Sequence, residues 1–332
     1  MVPANLPPQY IQAEQRFREA KTDEEKIARL QEMLAIIPKH KGTEKIRADL
    51  KTRLSRLRKG SAKKQRAASR RPQFDHVERE GAAQVALIGP PNAGKSALLA
   101  ALTGASPEVA PYPFTTHRPA PGMMPFQNIQ IQLIDTPPIA SDVMETWLPS
   151  LVRKVDFVLF VVDLSSDDIL EQTDTVVERL REGRVELVQT APDDQPASGV
   201  AAKKTVIVAN KCDVPGSPER LKILREFFGD RLPLVQVSAS TGEGLEDLRT
   251  YVYRALEIIR VYTKEPNRPP DREDPVILKR GSTVLDAARS IHKDFARNLK
   301  YARIWGSNTY DGQRVERAHV LADEDIIEFH IR

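Results

Sequence analysis

The sequence predicts an α/β fold with a mostly parallel sheet and helices on both faces, an N-terminal α-helical hairpin and a small C-terminal β-grasp-like module. Three observations predict it. From about residue 80, short apolar runs alternate with amphipathic stretches, the rhythm of βαβ units. Residues 22–59 carry two apolar stripes at three- and four-residue spacing, the mark of packed helices. After residue 276 the rhythm changes to short strands around one helix. The expected organisation is a helical hairpin and basic linker over 1–79, the α/β domain over 80–262, a linker over 263–275 and the small module over 276–332.

A chain of 332 residues suits two or three domains. Cys212 is its only cysteine, so no intramolecular disulfide forms and a reducing compartment is expected. The start is polar and proline-rich. The longest apolar run, Phe157 to Val162, is too short to span a bilayer and is bracketed by Asp156 and Asp163. These features lead to the expectation of a cytoplasmic protein with no membrane contact.

In the hairpin, Thr22 and Glu25 form a capping box, and Ile27, Leu30, Leu34 and Ile37 make one apolar face. Pro38 to Gly42 breaks this helix. Thr43 caps a second one with Ile46, Leu50, Leu54 and Leu57 on its stripe. Residues 39–71 hold fourteen Lys/Arg against two acids, although the whole chain carries only +4. A basic stretch on an otherwise acidic body points to a polyanion, and the reading is ribosome or structured RNA bound through its phosphates. Few aromatics lie there, so little base stacking is expected.

In the α/β domain the expected strands are 84–88, 129–134, 156–162, 204–209 and 234–237. The expected helices are 95–103, 143–154, 169–182, 218–228 and 244–260. Residues 190–202 read as a polar loop. In the last module, Val276 to Leu278 reads as a strand and Thr283 as the cap of a helix from Val284 to Phe295. Further strands fall around Tyr301 to Ile304 and Ile326 to Ile331. His292, His319 and His330 are too dispersed to suggest a metal site.

The strand Gln84 to Ile88 runs into Gly89-Pro90-Pro91-Asn92-Ala93-Gly94-Lys95-Ser96, and Ala97 to Leu102 follow as strong helix formers. Strand, glycine-bounded loop, Lys-Ser and helix form the setting of a phosphate-binding loop. Its main-chain N–H groups and the helix start meet a polyphosphate. Candidate contacts are Gly89, Asn92, Ala93, Gly94, Lys95, Ser96 and Ala97. Lys95 reaches the β/γ-phosphates, and the Ser96 hydroxyl ligates Mg²⁺.

The base is specified further along. Asn210-Lys211-Cys212-Asp213 directly follows a strand. A carboxylate at Asp213 accepts from guanine N1–H and its 2-amino group together, which adenine cannot match. Lys211 lies along the base, and Asn210 ties this loop to the phosphate loop. Ser238-Ala239 follows the next strand, where the Ala239 N–H meets guanine O6. Asp135, in Asp135-Thr136-Pro137-Pro138, holds Mg²⁺ through water. Thr116, with Thr115 as second choice, ligates Mg²⁺ and senses the γ-phosphate.

Together these elements resemble a translation-factor-class P-loop GTPase. Tyr112-Pro113-Phe114-Thr115-Thr116 resembles the Obg superfamily, and Ile37 to Lys45 its developmentally regulated GTP-binding (DRG) branch. Tyr301 to Gly306 and Asp323 to Ile327 are similar to a TGS domain. The resemblance implies a G domain that binds GTP/GDP and hydrolyses GTP, with Lys95, Thr116 and Asp135 as its catalytic set, coupled to ribosome or RNA binding. A protein partner on the N-terminal helices or the TGS domain is a further expectation.

The sequence departs from that family at three points. Pro138 stands where a glycine is usual, so a backbone N–H is missing. No stretch between Asp135 and Phe157 is long enough for the branch's insertion domain. Asn92 replaces the usual serine, which resembles potassium-activated GTPases and makes it a candidate K⁺ ligand. Ile139 occupies the position of a catalytic glutamine, as in GTPases with a hydrophobic residue there. A slow intrinsic rate follows, with positioning and charge neutralisation as its basis. The alternative expectation is a GTP-binding scaffold with negligible turnover.

Overall fold

The computed structural model describes residues 13, 15, 17, 23–37, 50, 52, 54, 76–104, 118–192, 199–306 and 310–331. The chain divides into two compact units, Met1–Gln73 and Phe74–Arg332.

In the first unit, helix α1 (Asp23–Ile36) buries Leu30 and Met33, with Ile37 just beyond its end. Leu34 and Leu54 pack against the same cluster, so Leu30, Leu34 and Ile37 share a face as their spacing predicts. Ala13 and Phe17, also helical, close the cluster from the N-terminal side. Thr22 and nearly all of the basic stretch 39–71 lie outside the described residues.

The second unit holds two sheets. Its first strands are β1 (Gln84–Ile88), β2 (Ala120–Phe126), β3 (Ile129–Asp135), β4 (Phe157–Asp163), β5 (Val185–Val188), β6 (Ala201–Asn210) and β7 (Leu234–Gln236). They run in the order β2-β3-β1-β4-β6-β5, with β7 also pairing β6. All pairs are parallel except the β2–β3 hairpin. The central strands are buried on both faces, which explains their unbroken apolar runs. Alternate residues point opposite ways. Ala86, Ile88, Phe160, Val162 and Ile207 enter one core, with helices α3 (Leu148–Lys154), α4 (Ile169–Glu182) and α5 (Ser217–Phe228). Val85, Leu87, Leu159, Val161 and Val208 enter the other, with α2 (Lys95–Thr103) and α6 (Leu245–Leu256).

Two strands of this sheet escape the sequence reading, and both lie at its edges. β2 contains Pro121, Gly122 and Pro125, which argue against a strand but are tolerated on an edge. β5 is four residues long. The helix expected over 143–154 begins only at Leu148, with Pro149 in its first turn.

The largest correction concerns 244–275. The last helix of the first sheet stops at Leu256, not residue 260, and Glu257 takes the left-handed φ of 51°. The chain then enters β8 (Ile258–Thr263), which pairs antiparallel with β9 (Asp271–Lys279). The expected linker 263–275 is therefore a proline-rich hairpin loop and the first half of a strand. The second sheet begins at Ile258, not residue 276. The β-branched Ile258, Ile259 and Val261 carry the strand signal that continued helical periodicity masked.

Strands β10 (Leu299–Trp305), β11 (Gln313–Val315) and β12 (Asp325–Ile331) complete this sheet in the order β11-β10-β12-β8-β9. Helix α7 (Val284–Ile291) has the expected Thr283 cap, in a reciprocal box with Asp286. The continuous helix expected to Phe295 breaks at His292, whose ring caps a short α8 (Lys293–Asn298). Among the described residues, no helix is long and apolar enough to cross a membrane.

Arg260 joins the two sheets. It is 4% exposed. Its guanidinium pairs with Asp323 Oδ2 at 2.7 Å and Glu324 Oε1 at 2.8 Å, and donates to Gln127 Oε1 and Asn128 Oδ1 in the β2–β3 turn. It also lies 5.4 Å from the Tyr253 ring of α6. Burial disfavours the Asp323 charge, but the hydrogen bonds from Arg260 outweigh it and hold this carboxyl below the usual range. Arg260→Ala is expected to lower the unfolding free energy by about 2–3 kcal/mol, discounted for the half-exposed acids. A depressed carboxyl pKa stabilises the fold above the unfolded value near ~3.9, and that contribution fades as pH falls through the folded value. Urea titrations should therefore show wild type and Asp323→Asn separated at neutral pH and converging in acid.

Candidate nucleotide-binding site

The site forms at the C-terminal ends of β1, β3, β4 and β6, where parallel strands open into loops. The phosphate loop spans β1 to α2, as the sequence predicts. Gly89 packs against β4, where any Cβ would lie 2.1 Å from Val161 O. Gly94 takes φ 88°, and a Cβ there would lie 2.4 Å from Asn210 Nδ2. Both glycines are thus demanded by backbone approach. Asn92 also has positive φ, 60°, and its side chain is exposed at the loop tip.

Lys95 is 7% exposed and folds back on its own loop, donating to Gly89 O at 3.1 Å and Pro90 O at 2.9 Å. Burial pushes its ammonium down to about 8, against the pull of Asp135. Asp135 ends β3, and its Oδ2 accepts from Ser96 Oγ at 2.5 Å. Burial raises its pKa, although Ser96, Lys95 and the Thr136 N–H oppose the shift. Its Oδ1 is buried with no hydrogen-bond partner. A hydroxyl beside a carboxylate with an orphaned oxygen is a hard-oxygen set suited to Mg²⁺.

Asn210 connects both halves of the site. Its Nδ2 donates to Ala93 O in the phosphate loop at 2.9 Å, as expected. Its Oδ1 accepts from Ala239 N at 3.1 Å. The Ala239 N–H, expected to face guanine O6, is engaged within the protein instead. Ser238 is fully buried, and its Oγ accepts from Thr241 N and lies 2.9 Å from Ser240 Oγ. Asp213 is exposed at the rim, with Ser240 Oγ 3.3 Å from its Oδ2. Hydroxyl hydrogen bonding, first from Ser238, holds its carboxyl below the ordinary range. Ala97 lies exposed in the first turn of α2. Thr115 and Thr116 lie outside the described residues.

The sequence reading missed Asp163. Lys211 has φ 66°, and its Nζ bonds Asp163 Oδ2 at 2.6 Å. Asp163 Oδ1 accepts from Ser165 N and Oγ. Burial opposes the Asp163 charge, yet these bonds hold its carboxyl below the usual range. The signal was present in the sequence: an acid closing the apolar run Phe157 to Val162, hence at a strand's C-terminal end.

A lysine-bearing phosphate loop, a serine–aspartate pair beside it and an Asn-Lys-x-Asp loop tied to both define a P-loop GTPase. Residues 84–211 match the 50S ribosome-binding GTPase family, and residues 259–331 match the TGS domain. An uncharacterised GTP-binding protein of Methanocaldococcus jannaschii is 30% identical, covering 93% of this chain and 93% of its own. Developmentally-regulated GTP-binding protein 2 of Mus musculus is 27% identical over 92% of this chain and 98% of its own. The YchF GTPase of Schizosaccharomyces pombe covers 76% of this chain and 99% of its own with a TM-score of 0.50 at 15% identity, a likeness of fold alone. The chain belongs to the developmentally regulated GTP-binding family: it is a GTP-binding protein with a P-loop G domain and a TGS domain.

Two substitutions test the geometry. Gly94→Ala is expected to abolish nucleotide binding while the second sheet stays folded. Asn210→Ala removes bonds to both loops and should weaken GDP affinity by about tenfold to a hundredfold. Calorimetry with GDP checks both; unchanged affinity in either would refute the bridging role.

Proposed function

We propose that the protein hydrolyses GTP to GDP and phosphate, slowly by itself, in a cycle coupled to ribosomes or structured RNA. The observation that carries the nucleotide half is Asn210: it holds the Asp213 loop and the phosphate loop in one frame. Asp213 then accepts from guanine, and Lys95 leaves its two carbonyls for the β/γ-phosphates. Ser96, Asp135 and Thr116 would hold Mg²⁺, which would supply charge neutralisation on the transferring phosphoryl group. Ile139 contributes no water-orienting group, since its side chain is fully buried. The chain's own role in catalysis is therefore positioning and charge neutralisation. Asn92, exposed at the loop tip, is the candidate ligand for K⁺.

The RNA half rests on the basic stretch 39–71 and the family resemblance. The TGS domain supplies a second contact, with ribosome, RNA or a protein partner, and the protein works in the cytoplasm. A second reading, a GTP-binding scaffold with negligible turnover, is favoured by the buried Ile139.

Single-turnover assays with excess protein separate the two readings. Hydrolysis above the uncatalysed rate, faster in K⁺ than in Na⁺, is expected; a rate equal to free GTP in K⁺ would leave the scaffold. Asp213→Asn should exchange GTP preference for XTP, and retained GTP selectivity would sink the base assignment. Ribosome co-sedimentation across a salt series tests the basic stretch. Removing residues 39–71 should weaken binding and flatten the salt slope; an unaltered slope would falsify the electrostatic anchor.

A further inference from the structure

The segment from Thr136 to Ala140 leaves the end of β3 and runs beside the phosphate loop. Asp135, immediately before it, touches Ser96 of that loop. A segment in this place is the natural reader of a terminal phosphate, and main-chain N–H groups are the donors that read it. Each main-chain nitrogen from Pro137 to Ala140 can be accounted for, and the Thr136 N–H lies by the Asp135 carboxylate. Pro137 and Pro138 have no N–H. The Ile139 N–H donates to Gly89 O at 3.1 Å, within the phosphate loop itself. The Ala140 N–H donates to Val143 O at 2.8 Å.

Two side chains hold the segment in this arrangement. Thr136 Oγ1 donates to Leu87 O at 2.7 Å in β1. Ile139 is fully buried in the core formed with α3 and β4. Swinging Ile139 outward would expose a whole isoleucine side chain and break its bond to Gly89.

We propose that this segment is latched and does not sense the terminal phosphate, and that Pro138 is the residue that denies the protein discrimination between GTP and GDP there. The proposal rests on the guanine-nucleotide reading of the site. No donor from Pro137 to Ala140 is free to meet a third phosphoryl group. The latch also ties the segment to the loop in either nucleotide state, so its backbone stays where it is.

The test uses the full chain with Mg²⁺. Affinities for GDP and for a non-hydrolysable GTP analogue are measured by competition with fluorescent GDP. The wild-type ratio of the two affinities, set by Lys95 and Thr116 with no donor from this segment, is the reference. Pro138→Ala keeps a proline-compatible φ and restores the N–H; Pro138→Gly does so with more freedom. Either is expected to favour the triphosphate analogue by about tenfold or more, the worth of one charge-assisted hydrogen bond. Hydrogen exchange over residues 139–147 supplies the second readout. It should be the same with both nucleotides in wild type and slower with the analogue in Pro138→Gly. A nucleotide-dependent exchange rate in the wild-type 139–147 segment, or two binding-competent variants with the wild-type ratio, would each overturn the proposal. A wild type that binds neither nucleotide fails the guanine-nucleotide reading instead.

Discussion

The Asn210 carboxamide bonds in two directions, to Ala93 O in the phosphate loop and to Ala239 N after β7. Three loops that are distant in sequence are thereby fixed against one another. The bond is possible only because Gly94 carries no side chain: a Cβ there would collide with the same amide nitrogen. Asn210 is 1% exposed, so neither bond is exchangeable for one to water without cost. Distances between phosphate recognition and base recognition are set here, and every assignment at the site inherits that frame.

Within the frame, the polyphosphate end is under electrostatic tension. Lys95 and Asp135 are both buried, and burial moves both toward their neutral forms. Their mutual attraction opposes this but does not cancel it. In the structure Lys95 is met by two carbonyls and Asp135 by the Ser96 hydroxyl. The orphaned Asp135 Oδ1 is the same tension seen as geometry. Leu87 and Leu133, on the strands that lead to these residues, are fully buried and anchor the backbone.

A second junction lies at the other end of the β2–β3 hairpin. Its turn, Gln127 and Asn128, is held by Arg260 and by Tyr262, whose hydroxyl accepts from Asn128 Nδ2 at 2.9 Å. The hairpin therefore has Asp135 and the nucleotide site at one end and the TGS sheet at the other. On the first sheet's side of the junction the Phe126 ring stacks on Tyr253 of α6 at 4.7 Å, and the Tyr253 hydroxyl donates to Asp323 Oδ1 at 3.0 Å. The TGS sheet is thus seated directly on an element that leads to the site, through side chains rather than through a tether.

Sequence alone determined the central strands and the loops that carry the candidate site. The phosphate loop, Asp135 and Asn210 to Asp213 were legible because each needs fixed residue types at the end of an apolar run. The central strands were legible because burial on both faces leaves an uninterrupted apolar signature. Tertiary structure decided what such local signals do not carry. β2 and β5 are strands because an edge tolerates proline and shortness, a property of position in the sheet. Ile258 to Thr263 became a strand because β9 and β12 supply its hydrogen-bond partners from residues as distant as Ile327. Asp163 joined the site, and the Ala239 N–H turned inward, because spacing along the chain says nothing about which loops meet.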